Sequence, residues 1–211
     1  MTTTPAFPWE VMATIAARRA IAIVRAPDRD WGVDQCRRLI EAGARVIEVS
    51  FTTPDAAALI AELVELADRG TLIGAGTVLD ESTARQAIDA GAQFLIAPSL
   101  APDMVRTGQR HGIAVIPAAQ TPTEAVAAME LGASAVKLFP AATVGIAGMA
   151  AISEALPHVP FIPTGGIDLE SAELWIEAGA VAVGLGGAVA RADPDKLRRR
   201  LDELAVLDSG V

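Results

Sequence analysis

The sequence is poor in the residues that build several common kinds of site. Its 211 residues include one cysteine and no tyrosine, and aromatic residues make up only 4% of the chain. The single cysteine, Cys36, cannot form an internal disulfide, and we expect it to be a buried helix residue rather than a nucleophile. The scarcity of aromatic rings disfavours a base-stacking surface for single-stranded nucleic acid.

Positive charge is also scarce. The chain has 17 lysines and arginines against 26 aspartates and glutamates, which gives a net charge of -9. Only two of the basic residues are lysines, Lys137 and Lys196. Such a chain has no broad basic surface for a phosphate backbone, so we expect no nucleic-acid partner. Any anion must be bound at a local site.

Long hydrophobic runs are absent. No apolar run reaches roughly 18 residues, the length needed to cross a bilayer. Residues 1–8 lack the basic segment and apolar core of a secretory leader. We therefore expect no membrane partner and a cytoplasmic location. The two histidines, His111 and His158, do not have the spacing of metal ligands, so we predict no metal site.

A repeated pattern dominates what is present. Short apolar runs alternate with stretches of helical spacing, at about one run per twenty residues. Before five of these runs stands a glycine suited to end a helix in the left-handed conformation. The glycines are Gly43, Gly91, Gly112, Gly132 and Gly179. The eight runs are residues 20–26, 45–51, 71–78, 93–99, 113–119, 134–140, 161–166 and 181–187.

Eight alternating units predict an α/β fold, a single (β/α)8 TIM barrel with an extra N-terminal helix. We predict one domain over residues 1–211, with the barrel at 20–206 and the extra helix at 8–19, where it would close the bottom of the barrel. An open doubly wound sheet is the alternative. Against it, the nearest approach to a dinucleotide-binding glycine motif, at 184–190, lacks the third glycine.

A lysine interrupts one of the apolar runs. Side chains alternate along a strand, so Val136 and Leu138 should face the helices while Lys137 points inward. The same alternation turns Glu48 and Ser50 inward from the second run. A buried ammonium and a buried carboxylate each cost several kcal/mol unless they are paired or functional.

A structural ion pair is one interpretation of Lys137 and Glu48. Two observations favour chemistry instead: lysine is nearly absent from this chain, and arginine is the usual choice for a buried pair. Burial favours the neutral amine of a lysine, which can attack a carbonyl and form a Schiff base. Glu48 would then move protons during that reaction.

Two glycine pairs follow the last two runs, Gly165-Gly166 and Gly186-Gly187. In such barrels the loops after the seventh and eighth strands form a common phosphate site, so we predict one here, with tight turns as the alternative. Thr77 either belongs to the site or caps the helix beginning near residue 80. Arg25, at the end of the first run, either belongs to the site or is a solvated residue at its rim.

The order and spacing of six motifs resemble the 2-keto-3-deoxy-6-phosphogluconate (KDPG) and 4-hydroxy-2-oxoglutarate (KHG) aldolase family over about residues 10–205. The motifs are VIEVSFTTPDA at 46–56, IGAGTV at 73–78, FLIAPSL at 94–100, TPTEAVAAMELGA at 121–133, VKLFPA at 136–141 and FIPTGGI at 161–167.

The resemblance implies a class I aldolase, free of metal and cofactor, that cleaves a phosphorylated 2-keto-3-deoxy sugar acid to pyruvate and glyceraldehyde 3-phosphate. It makes Lys137 the Schiff-base lysine, Glu48 the general acid/base and Thr77 a neighbour of the pyruvyl group. The phosphate-binding residues implied are Thr164, Gly165, Gly166, Gly186 and Gly187. It also implies a cytoplasmic homotrimer.

Three positions depart from the family pattern. Thr52 stands where many members have an arginine that grips the substrate carboxylate, and we expect Arg25 to supply that charge and Thr52 to contact the substrate. Ala188 replaces a common serine, and Ala118 replaces a common glycine. Two other functions stay open: a phosphate-binding barrel isomerase or epimerase, and a non-catalytic or engineered trimeric scaffold.

Overall fold

The computed structural model describes residues 7–207. The first six and last four residues of the predicted 1–211 domain lie outside the described residues. So does most of segment 1–8, from which we expect no secretory leader. The ten helices of the described part are α1 (Pro8–Arg18), α2 (Arg29–Glu41), α3 (Ala56–Leu66), α4 (Glu81–Asp89), α5 (Pro102–Arg110), α6 (Pro122–Glu130), α7 (Ala141–Ala155), α8 (Ala172–Glu177), α9 (Gly187–Ala190) and α10 (Pro194–Ala205).

The strands alternate with these helices along the chain. They are β1 (Ala20–Val24), β2 (Val46–Ser50), β3 (Leu72–Gly76), β4 (Phe94–Ile96), β5 (Ala114–Ile116), β6 (Ala118–Ala119), β7 (Val136–Leu138), β8 (Phe161–Pro163) and β9 (Val183–Leu185). Every predicted run contains a strand.

Helix ends follow local chemistry. The side chains of Asp28, Asp80, Thr121 and Asp193 each accept a hydrogen bond from a backbone N–H of the first turn that follows. The five glycines predicted to end helices all have positive φ, between 67° and 93° for Gly43, Gly91, Gly112 and Gly132 and 98° for Gly179. Cys36 is buried in α2 as predicted, and burial raises the pKa of its thiol to about 12.

The strands are parallel and form a curled sheet. One part has the order β5-β4-β3-β2-β1-β9, and the other has the order β6-β7-β8. The last strand therefore pairs with the first, and a single bridge between Thr164 and Gly184 links β8 to β9. In a doubly wound sheet the order of the strands reverses at a switch point beside the first strand. Here the strands follow one another in chain order from β1 to β5, and β1 pairs on its other side with the last strand, so the doubly wound alternative is wrong.

The strand count differs from the predicted eight because the fifth run is divided at Pro117. Proline has no N–H to donate to a ladder, which separates β5 from β6. The run still bonds on both sides: the carbonyl of Ile116 accepts from the Ala97 N–H at 3.2 Å, and that of Pro117 accepts from the Lys137 N–H at 2.9 Å. The two short strands thus occupy the place of one.

The inner face of the sheet is apolar toward the amino-terminal ends of the strands, and in β4 and β5 it is apolar as far as their last residues, Ile96 and Ile116. Fully buried Val11 and Ile15 of α1 pack there, against side chains contributed by nearly all the strand segments. Those side chains are Ile21, Val46, Leu72, Phe94, Ile96, Ala114, Ile116, Ala135, Ile162 and Ala182. The predicted N-terminal helix therefore covers this end of the sheet, and polar side chains are left to gather at the other. Within residues 7–207, no helix is long and apolar enough to cross a membrane.

Candidate active site

The predicted lysine and glutamate meet inside the curl of the sheet. Lys137, in the middle of β7, is 6% exposed, and Glu48, in the middle of β2, is 2% exposed. The Nζ of Lys137 lies 3.9 Å from Oε1 of Glu48. That distance allows attraction between charges but exceeds a hydrogen bond. Alternation along the strands predicts that both side chains point inward, and both do. Val136 and Leu138 pack in the helix-facing core, as the same alternation predicts.

Burial changes the acidity of Glu48. Loss of hydration raises the pKa of its carboxyl above the ordinary 4.5, and the nearby charges of Lys137 and Arg25 oppose that shift. A carboxyl with a raised pKa exchanges protons more readily near neutral pH, which suits a general acid/base. Among residues 7–207, Glu48 is the only buried carboxylate.

A glycine on the neighbouring strand makes room for this carboxylate. A Cβ at Gly76 of β3 would lie 1.8 Å from Oε1 of Glu48, so the carboxylate crosses the space that any larger residue would fill. On the other side of the pair, the Nζ of Lys137 lies 5.2 Å from the centre of the Phe139 ring, within cation–π distance. Sequence reasoning did not select Gly76 or Phe139.

A chain of side-chain hydrogen bonds borders the pair. The hydroxyls of Ser50 and Thr52 lie 2.8 Å apart, and those of Ser50 and Thr77 lie 2.9 Å apart. The Nε of Arg25 donates to Thr52 Oγ1 at 3.1 Å. Ser50 thereby joins three predicted substrate-binding residues, Arg25, Thr52 and Thr77. The sequence indicates Ser50 only by its position two residues after Glu48, on the same face of β2.

Thr77 does not cap the following helix. Asp80 is the N-cap of α4, and its carboxylate accepts from the Thr83 N–H at 2.7 Å. Thr77 instead has φ of 59°, in the left-handed region that a β-branched residue rarely adopts. Its hydroxyl is directed to Ser50 rather than to the backbone of α4. Arg25 is exposed, and its Nε donates to Thr52 Oγ1, so it lies at the rim in contact with this cluster of hydroxyls.

The two glycine pairs lie in loops that follow β8 and β9. Gly165 and Gly166 have φ of 94° and 82°, and a Cβ at Gly166 would stand 2.6 Å from that of Ala142. Gly186 precedes α9, and Gly187 begins it. Thr164 is buried beside these glycines. Its hydroxyl lies so close to Gly184 that a Cβ added to Gly184 would be 2.2 Å from Thr164 Oγ1. Thr164 therefore connects the two loops, because its bridge to Gly184 links the end of β8 to β9.

A cleft opens beside the second glycine loop. Gly187, Ala188, Arg191 and Lys196 line one side, and the segment 168–170 lines the other. The guanidinium of Arg191 lies against Gly187, with its Nη atoms 3.1 Å from the place of a Cβ. Lys196 forms an ion pair with Glu170 across the cleft. Of the residues at 7–207, no three histidines, cysteines, aspartates or glutamates form a group suited to a metal ion.

Comparison with known proteins agrees with this arrangement. The sequence model of the family described as KDPG and KHG aldolase matches residues 11–199. The chain is 33% identical over 198 residues to a probable 2-dehydro-3-deoxy-6-phosphogalactonate aldolase of Rhizobium meliloti (strain 1021), covering 91% of this chain and 92% of the relative. It is 42% identical over 155 residues to a 2-dehydro-3-deoxy-phosphogluconate aldolase of Treponema pallidum (strain Nichols), covering 72% and 73%.

A solved structure extends the likeness to the fold. The KDPG aldolase of Legionella pneumophila, with pyruvate captured as a covalent carbinolamine intermediate, superposes with a TM-score of 0.80 at 27% identity, over 96% of this chain and 98% of that one. With a family match spanning most of the described residues and relatives above 30% identity, this chain belongs to the KDPG and KHG aldolase family.

Proposed function

We propose that this protein is a class I pyruvate aldolase, which cleaves a 2-keto-3-deoxy or 4-hydroxy-2-oxo acid to pyruvate and an aldehyde through a Schiff base on Lys137. One observation carries the assignment of residues: a buried lysine and a buried carboxylate stand 3.9 Å apart beside a cluster of hydroxyls. The Legionella relative holds pyruvate as a carbinolamine, the adduct that an amine forms with a keto group.

The lysine begins the reaction. The Nζ lone pair of Lys137 attacks the C2 carbonyl of the keto acid, giving a carbinolamine whose hydroxyl leaves as water once it is protonated. The resulting iminium draws electrons from the neighbouring carbons. Glu48, within 4 Å of Nζ, is the group placed to supply the proton for the departing water.

Cleavage then needs a base. The carboxylate of Glu48 accepts the proton of the C4 hydroxyl, the C3–C4 bond breaks, and its electron pair forms the enamine of pyruvate while the aldehyde departs. Protonation of the enamine at C3 and attack of water on the iminium release pyruvate and regenerate Lys137. Because one carboxyl both gives and takes protons, a raised pKa benefits each half of the cycle.

The remaining predicted residues are assigned to the two ends of the substrate. Arg25, Thr52 and Thr77 bind the carboxylate and keto end, since they border the lysine and carry the one cation of that cluster. Thr164 with Gly165, Gly166, Gly186 and Gly187 binds the phosphate of a phosphorylated substrate. A panel of phosphorylated and unphosphorylated keto acids, assayed for pyruvate release, tests this: equal KM values across the panel would contradict a phosphate site.

We propose two further features of the molecule. The strands form one closed (β/α)8 barrel, with β5 and β6 together as the fifth strand, supported by the pairing of β1 with β9 and the Thr164–Gly184 bridge. Slow amide exchange at Val181 and Val183, which donate to carbonyls of neighbouring segments, is the expected signature. The active form is a homotrimer, as the family resemblance implies, and the exposed Trp9, Trp31 and Leu174 are candidates for burial between subunits. Light scattering should give three times the 21.8 kDa chain mass.

The central test is chemical trapping. Incubation with pyruvate and borohydride should add a stable mass to one peptide, the one containing Lys137, and Lys137→Ala should abolish both the adduct and cleavage. EDTA should leave activity intact. A folded wild-type protein without an adduct would support the isomerase or the scaffold, and inhibition by EDTA would indicate a metal-dependent aldolase.

A further inference from the structure

Ser50 is a buried hydroxyl to which the proposed mechanism gives no role. It is the last residue of β2 and is fully buried. Its Oγ lies within 2.9 Å of two hydroxyl oxygens, those of Thr52 and Thr77, which come from separate loops. One side chain thus ties together two segments that border Lys137.

The chain of bonds continues to the nearest free cation. A guanidinium Nε can only donate, so Arg25 donates to Thr52 Oγ1, and the directions are consistent when Thr52 Oγ1 donates to Ser50 and Ser50 donates to Thr77. The backbone N–H of Thr52 also donates to Ser50 Oγ, at 3.4 Å. Within residues 7–207, Arg25 forms no ion pair. Its orientation therefore depends on Thr52, and that of Thr52 on Ser50.

The other end of the chain is strained. Thr77 has a left-handed backbone, which is strained for a β-branched residue and persists only where neighbouring groups hold it. Among the described residues, the Thr77 hydroxyl forms a hydrogen bond with Ser50 alone. Without Ser50, the Thr77 side chain and its loop would lose this attachment.

We infer that Ser50 is a positioning residue for the keto-acid end of the substrate. Its hydroxyl holds Thr77 on one side and, through Thr52, the Arg25 guanidinium on the other, so that both reach the substrate in fixed orientations. This inference rests on the proposed function. It also accounts for how Thr52 serves in place of the arginine found in many family members: Thr52 orients a cation instead of supplying one.

The test compares two replacements of Ser50 with a matched control. Ser50→Ala removes the hydroxyl, and Ser50→Thr keeps it. Ser134→Ala removes another serine hydroxyl, one that accepts only from the Val115 backbone N–H at 3.1 Å and lies outside the chain of bonds. We expect Ser50→Ala to raise KM for the keto acid about tenfold with kcat within about threefold, because one charged contact loses its orientation. Ser50→Thr should restore KM, and Ser134→Ala should lower only Tm.

A purely structural role would give a different result. If Ser50→Ala lowers Tm as Ser134→Ala does but leaves KM unchanged, or if Ser50→Thr fails to restore a raised KM, the inference is overturned. Should Ser50→Ala fail to fold, Ser50→Cys replaces the hydroxyl with a thiol, a much weaker hydrogen-bond partner of similar size, and must raise KM similarly. The borohydride adduct separates the two hypotheses: an adduct with unchanged KM overturns only the inference, and a wild type without an adduct overturns both.

Discussion

At the scale of the residue, the distance between Lys137 and Glu48 matters as much as their burial. A separation of 3.9 Å is too long for the charge-assisted hydrogen bond of a tight salt bridge, which is about 2.7–2.9 Å. The pair keeps its electrostatic attraction while the oxygen of Glu48 remains free for substrate protons. A structural ion pair would gain from closer contact, so the geometry favours chemistry.

Lys137→Arg separates the structural from the chemical role. Arginine keeps the positive charge opposite Glu48 but cannot become the neutral amine that attacks a carbonyl. We expect cleavage to fall by about 1,000-fold or more, as when other enzymes lose a nucleophile. The free energy of unfolding, measured in urea, should confirm that the variant is folded. Substantial cleavage by Lys137→Arg would contradict a Schiff base on this residue, because only the charge is kept.

The pH dependence of cleavage tests Glu48. Its carboxylate must accept the C4 hydroxyl proton, and burial raises the pKa of that carboxyl above 4.5. The value of kcat/KM should therefore rise with pH through a pKa above the ordinary glutamate value, since kcat/KM reports groups of the free enzyme. Arg25→Gln should move this pKa further upward, because the Arg25 charge lowers it.

Two glutamate variants provide the control for that profile. Glu48→Gln cannot exchange the proton, so we expect the acidic limb to vanish with most of the activity. Glu130→Gln changes an exposed carboxylate at the end of α6 and should leave the profile as it is. An acidic limb that persists in Glu48→Gln would assign the titration to another group.

At the scale of the element, the pairing of β2 with β3 shapes the site. Ser50 pairs with Gly76 in register, and the missing side chain of Gly76 leaves the space that the Glu48 carboxylate crosses. Gly76→Ala would drive a Cβ into that carboxylate. We expect a loss of about 1–3 kcal/mol in the free energy of unfolding, typical of overpacking, together with reduced activity.

A double-mutant cycle identifies the cause of that loss. In the Glu48→Ala background the clashing atoms are gone, so Gly76→Ala should cost far less in the same urea titration. Equal costs in both backgrounds would mean that the alanine disturbs the strand itself and not the carboxylate.

Much of this architecture could be predicted from local patterns. Alternation within single strands placed Lys137 and Glu48 on the inner face, and helix-ending glycines marked where strands begin. The role of Gly76 could not be predicted, because the need for a glycine there arises from a side chain on another strand. Thr77 was ambiguous for a similar reason: its partner, Ser50, is 27 residues away. Pro117 alone could have indicated the divided fifth run.

At the scale of the whole molecule, stability and chemistry belong to opposite ends of the sheet. The amino-terminal side of the sheet holds an apolar cluster under α1, while Lys137 and Glu48 lie at mid-strand and the hydroxyl cluster lies at strand ends or just beyond them. Parallel strands bring all their carboxyl ends to one side, which explains how residues distant in sequence converge there.

Ile15→Ala tests this division. Ile15 is fully buried in α1, and its truncation should lower the free energy of unfolding by about 2–5 kcal/mol. Since α1 covers the end opposite Lys137, we expect kcat/KM to stay within about twofold of wild type where the variant is fully folded. Ala13→Gly, at an exposed position of the same helix, controls for loss of helix propensity and should cost only about 1 kcal/mol. A fall in kcat of folded Ile15→Ala enzyme would show instead that packing beneath the sheet helps to position the lysine above it.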